Sequence, residues 1–148
     1  MNLFVTDEDP VVSAIALADK HVVKMVLEAT QTLSTICGGP YKPSHGHHPI
    51  TIWAGATSGN FNWVREHGLA LAREYTHRYG KRHATETILE SFRCSVSSGE
   101  RQEFYGCMPE EFKGVDVVTS YRLYLKWKYS NWDKAVWTSR QPPTWLLT

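Results

Sequence analysis

Apolar residues at Ile15, Ala18, Val22, Met25, Val26, Ala29 and Leu33 recur at helical spacing, and no glycine or proline interrupts the chain from Val11 to about Ile36. This pattern predicts one long helix. Asp9 is placed to cap it, and Pro10 occupies the first helical position, where its missing amide hydrogen costs nothing. Gly38-Gly39-Pro40 ends it. Tyr41 to Pro49 reads as an ordered loop, and Ile50 to Ala54 as a short helix closing near Gly55. A second long helix is expected from about Asn60 to Tyr79, stopped by Gly80, and a third from Thr85 to Phe92. The polar, glycine-containing stretch Ser95 to Gly106 is expected to be a mobile loop. Pro109 and Asp116 then open helical turns leading into Ser120 to Tyr129, and an aromatic, proline-rich tail runs from Trp137 to Trp145. Neither an internal repeat nor a strong alternating strand pattern is present, so the expected fold is all-α, a compact single-domain helical bundle over residues 1–148.

Composition narrows the class of partner. A hydrophobic content of 42% in 148 residues is enough to bury the core of one domain. No apolar run is long enough to span a membrane, and the N-terminus turns acidic where a signal peptide would be basic and then apolar. A cytoplasmic protein is expected, in the host cytoplasm if the chain is phage-encoded, with no membrane partner. The three cysteines, Cys37, Cys94 and Cys107, have no paired spacing, and reduced thiols are the expectation. A net charge of +1, from 16 basic and 15 acidic residues, gives no broadly basic surface for sequence-independent DNA binding. A local cationic pocket remains open to it.

The sharpest chemical signal lies on the first long helix. His21, Lys24, Glu28 and Gln31 form one stripe at helical spacing, flanked by Lys20. A solvated face would account for it. Val23 and Leu27 beside the stripe favour a buried helix instead, on which polar groups must be partnered with one another or with a ligand. A second signal is Ser44-His45-Gly46-His47-His48-Pro49, followed by Trp53. Its spacing matches no standard zinc motif, so no metal is assigned; His45 and His48 are read either as ligand contacts and a helix cap or as chance surface histidines. The third cluster closes the second long helix, where Arg78 and Lys81 suit the helix dipole or a phosphate, with Asn60 and Trp63 farther back along the same helix. Arg140 and Trp145 in the tail suit anchoring, or stacking at a pocket mouth. No Walker A, GxGxxG, GxSxG or HExxH sequence occurs, and no cofactor is expected.

Several motifs are shared with a widespread group of small phage and bacterial proteins that open with Met-Asn-(Ile/Leu)-Phe and an acidic Asp-Pro. They include Asp9-Pro10, Ala18-Asp19-Lys20-His21-Val22-Val23-Lys24-Met25, Glu28, Gln31, His48-Pro49, Arg78-Tyr79-Gly80-Lys81 and Pro143-Thr144-Trp145. More remotely, Ala18 to His21 with Glu28, together with Pro143 to Trp145, resembles the phage pyrimidine-dimer DNA glycosylase family of endonuclease V. That resemblance implies a compact all-α enzyme that cuts the glycosidic bond through an imine and then eliminates the strand. It places Glu28 as the catalytic glutamate and His21 as the active-site histidine. The family's nucleophile is a terminal α-amine exposed by loss of the initiator Met, a loss that the large Asn2 disfavours here; Lys24, one turn before Glu28, would replace it if burial depressed its pKa.

Two readings follow for the partner. One is a DNA base glycosylase/lyase, with Glu28 as general acid/base and Lys24 or the N-terminal amine as nucleophile. The other is a non-catalytic phage protein, an anti-defence sponge, that sequesters a phosphate-bearing signalling nucleotide. In it Lys24, His48, Arg78 and Lys81 would hold phosphates while Trp53 or Trp63 stacks on a base. Oligomeric state is left open.

Overall fold

Two long helices cross at the centre of the molecule, and small residues let them approach closely. A Cβ on Gly68 would lie 3.1 Å from both the Ala29 Cβ and a Leu89 methyl, so the crossing is set by the absence of that atom. In the computed structural model, which describes residues 1–93 and 95–148, these helices are α2 (Asp19–Cys37) and α4 (Ser58–Tyr79). Around them pack α1 (Pro10–Ile15), α3 (Pro49–Ala56), α5 (Glu86–Ser91) and α6 (Val117–Ser130), with short 3₁₀ turns at Glu110–Phe112 and Thr144–Leu146. No strand occurs among the described residues. The core is apolar and shared by all layers: Val22, Val26 and Leu33 of α2 meet Ile50, Val64, Leu71, Leu89 and Leu125, each fully buried. The all-α fold class is as the sequence predicts. No helix among the described residues is long and apolar enough to cross a membrane.

The helix expected to run unbroken from Val11 to Ile36 is divided in two. At Ala18 the backbone is extended (φ −65°, ψ 157°), although nothing in Ala16-Leu17-Ala18 disfavours a helix. Distant partners satisfy the freed backbone groups instead. Arg78 donates to Leu17 O at 2.7 Å and to Ile15 O at 3.0 Å, Trp137 Nε1 donates to Ala16 O, and Tyr129 Oη accepts from the Ala18 N–H. Arg78 itself is buried between Glu74 (2.9 Å) and Asp19 (3.0 Å). Arg140 closes the network with a two-pronged contact to Glu74, both distances 2.8 Å. Burial would push the Asp19 carboxyl up, but hydrogen bonds from Thr138 and Arg78 outweigh it and hold the group below its ordinary value. Two arginines and two carboxylates thus balance inside the fold.

The segment expected to be mobile is pinned instead. Ser58 and Gly59 N–H groups donate to Ser97 O and Gly99 O, Asn60 exchanges bonds with Gln102, and Trp53 Nε1 reaches Glu103 O at 2.7 Å. Gly59 has no room for a Cβ beneath the backbone of Glu100 and Arg101. Phe104 then inserts against Trp53 and Trp63. Cys107 is a free, half-buried thiol as expected, whereas Cys37 is disulfide-bonded, which corrects the expectation of a reduced thiol there. Cys94 lies outside the described residues.

Two buried histidines tie stability to pH. His67 is fully buried, contacts Pro10 O at 3.0 Å and stacks on Trp63; burial lowers its pKa to about 4. Burial, with the nearby charges of Lys128 and Lys24, lowers His21 to about 3. Both values lie below the unfolded value near 6.5, so the unfolded chain takes up protons first and stability falls as pH drops below about 6.5. Lowering pH from 7 to 5 is expected to remove about 2 kcal/mol per histidine. Urea unfolding at the two pH values, for the wild type and for His67→Gln, checks this. Equal stability at both would contradict it.

Candidate active site at the folded-back N-terminus

The first residues do not trail into solvent. Met1 inserts its side chain, only 2% exposed, between α2 and α3, where its sulfur lies 3.4 Å from the hydroxyls of Thr32 and Thr51. The residue as a whole is half-buried, so the part that reaches the surface is its backbone end. There the α-amine lies 3.6 Å from Glu28 Oε1, while Lys24 Nζ approaches the other carboxylate oxygen at 3.7 Å. A pocket of about 300 Å³ opens over this group, lined by Met1, Lys24, Leu27, Glu28, Gln31 and His45.

Three members of the stripe therefore share one pocket, and the fourth does not. Lys24, Glu28 and Gln31 line it; the Lys24 side chain is 71% exposed, not the buried amine that the sequence reading required. His21 turns inward, stacks on Phe4 at 4.4 Å and hydrogen-bonds Tyr129 Oη at 2.7 Å. Its place is a neutral core histidine. Lys20 lies outside the pocket, with its ammonium 5.5 Å from the Trp132 ring centre.

The histidine loop contributes at the rim. His45 lines the pocket and has φ +55°; Phe4, two residues after Asn2, has φ +49°. Both occupy the left-handed region that side-chain-bearing residues rarely adopt. His48 Nδ1 accepts the Ile50 N–H and caps α3. Burial, the Met1 amine and His45 together hold its pKa below the ordinary histidine value. A positive charge on His48 is thus disfavoured beside the amine.

Trp53, Trp63, Asn60 and Arg78, also singled out in the sequence, are buried in the fold. Trp53 and Trp63 are buried and bond backbone carbonyls of Glu103 and Glu8, so neither offers a face for stacking. Asn60 is fully buried and ties Trp53 O to Gln102. Arg78 is enclosed by the carboxylates and carbonyls at the α1–α2 break and does not line the amine pocket. Lys81 is exposed just past α4 and does not line the amine pocket. Among the described residues no group of three or more His, Cys, Asp or Glu is placed to hold a metal.

An amine beside a carboxylate, in an open pocket, is equipped for imine chemistry: the amine can attack an electrophilic carbon and the carboxylate can move its proton. A family model described as pyrimidine dimer DNA glycosylase matches residues 1–87, more than half of the chain. The chain belongs to the pyrimidine dimer DNA glycosylase family. The match takes in Met1, Lys24, Leu27, Glu28, Gln31 and His45, every residue that lines the pocket, and ends inside α5. No curated protein and no solved structure matches the chain.

The sequence offers the N-terminal amine as an alternative to Lys24, but the placement of Met1 beside the stripe is not legible in it. Helical projection places side chains relative to one another on one helix, and a terminus folded back from outside that helix is invisible to it. A signal was nonetheless present in the large second residue, Asn2, which favours retention of Met1.

Proposed function

We propose that this chain is a DNA glycosylase/lyase that acts on a damaged base in duplex DNA, with the Met1 α-amine as nucleophile and Glu28 as general acid/base. The observation that carries the reading is the amine held 3.6 Å from Glu28 at the mouth of the pocket. Glu28 accepts a proton from the ammonium form, and the freed nitrogen attacks C1′ of the deoxyribose. The C1′–N bond to the base breaks; the base leaves with the electron pair and is protonated. The nitrogen, now bonded to C1′ and relieved of a proton, then expels O4′: the C1′–O4′ bond breaks, O4′ takes up a proton from the Glu28 carboxyl, and the opened sugar is held as an iminium through C1′. Glu28 next removes a proton from C2′, the C3′–O bond breaks, and the strand departs as a phosphate ester. Water releases the sugar fragment and restores the amine.

Within this scheme Lys24 is an exposed cation one turn from Glu28, suited to a phosphate of the bound strand. Gln31 and His45 supply the remaining polar wall. Capture of a free nucleotide without chemistry has less support, because Arg78, Trp53 and Trp63, which would hold its phosphate and base, are committed elsewhere in the fold.

Borohydride reduction during incubation with a duplex carrying a pyrimidine dimer or an abasic site tests the proposal. The expected result is a covalent protein–DNA adduct whose mass maps to the peptide that begins with Met1. An adduct on Lys24 would transfer the nucleophile to that side chain, and the absence of any adduct would overturn imine chemistry altogether.

A further inference from the structure

A chain terminus is ordinarily mobile, yet the residue next to this amine is fixed through both polar atoms of its side chain. Asn2 Nδ2 donates to Cys107 O at 2.8 Å. Its Oδ1 accepts from Leu3 N–H at 2.8 Å, from Phe4 N–H at 3.1 Å and from Tyr121 Oη at 2.7 Å. Tyr121, on α6, is fully buried, and its hydroxyl also accepts the Cys107 N–H at 2.9 Å. Burial pushes that hydroxyl well above its ordinary pKa, so it remains a neutral donor. The three residues close a ring of hydrogen bonds one peptide away from the α-amine. Met1 is then anchored at both ends, by its sulfur against Thr32 and Thr51 and by its backbone through Asn2.

We infer that Asn2, clamped by Tyr121 and Cys107, is the positioning residue for the Met1 amine. The consequence is a division of labour along the chain: the reactive groups lie within residues 1–87, while Cys107 and Tyr121, which aim the amine, lie beyond the family match. Asn2 touches no reacting atom in this scheme. It acts by holding the peptide that carries the nitrogen, and a displacement of about 1 Å at a reacting group costs on the order of 10²-fold in rate.

The inference rests on the amine being the nucleophile, and the test separates the two. Asn2→Gln keeps the amide but moves it one methylene out, and Tyr121→Phe removes only the hydroxyl; both retain a large second residue, and intact mass verifies that Met1 is present. Each full-length variant is measured for single-turnover borohydride trapping on an abasic duplex. Each is also measured for affinity towards a duplex carrying a tetrahydrofuran abasic analogue, which has no aldehyde to trap. Trapping is expected to slow by roughly 10- to 100-fold in both variants, with the affinity unchanged. Wild-type trapping rates in both would overturn the inference, and so would a parallel loss of trapping and affinity, which marks a general structural role. Two variants at opposite ends of the ring keep the result readable where one of them folds poorly. No trapping by the wild-type chain would overturn the glycosylase reading and this inference with it.

Discussion

Glu28→Gln is expected to lower the single-turnover rates of base release and strand cleavage by roughly 10²–10⁴-fold, the span usual for loss of a positioned acid/base group. The substitution keeps the shape of the side chain and one carbonyl oxygen beside the amine, so the fold and the pocket walls stay in place. What disappears is the ability to take a proton, first from the ammonium of Met1 and later from C2′. The glutamate stands between the α-amine at 3.6 Å and the Lys24 ammonium at 3.7 Å, so neutralising it also leaves two cations facing each other without a counter-charge. Rapid-quench assays on a dimer-containing duplex, with duplex affinity measured alongside, separate lost chemistry from lost binding. Unchanged cleavage by the glutamine variant would sink the role assigned to Glu28.

Adding one residue ahead of Met1 is expected to abolish trapping, to below roughly a hundredth of the wild-type rate. An extra residue moves the terminal nitrogen by about 3.8 Å and leaves a non-nucleophilic amide N–H at its former position. Because Met1 is held through its sulfur and through Asn2, the chain cannot slide inward to restore the original placement. Intact mass of the extended protein, followed by the borohydride assay, checks this; Lys24→Ala, measured in parallel, is expected to retain trapping. If the extended chain traps at the wild-type rate while Lys24→Ala does not, the nucleophile is Lys24.

Much of the helical framework is legible in the sequence, because capping and stop residues agree with apolar spacing. Asp9, Thr57 and Asp116 cap α1, α4 and α6, and Gly38 and Gly80 close α2 and α4. The break at Ala16-Leu17-Ala18 is not legible, since its cause is distant: Arg78, Tyr129 and Trp137 satisfy backbone groups that local propensity would have kept inside one helix. The same holds for the segment between Ser95 and Phe104. Its polar composition suits a free loop, but its carbonyls are taken by the N-terminal turn of α4.

The site divides in the same way. Lys24, Glu28 and Gln31 are legible as a stripe because they share one face of α2 above a pocket. His21 shares the spacing but not the pocket, for α2 is covered by Phe4, Tyr129 and Trp132 at that end, and a helix packed on several sides has no single solvent face to mark. Trp53, Trp63 and Arg78 carry the right chemistry for a ligand, and only their burial and partners show that the fold uses them.

The contacts at the α1–α2 break bear on how the chain can be divided. Six residues are too few to hold an isolated helix in water. The groups that close α1 and start α2 come from Arg78 on one side and from Tyr129, Val136, Trp137 and Thr138 on the other. The end of the family match inside α5 is therefore not a seam. A fragment cut there would keep every residue that lines the amine pocket and lose the tail that shapes the turn leading into α2, so the matched segment is not a portable unit.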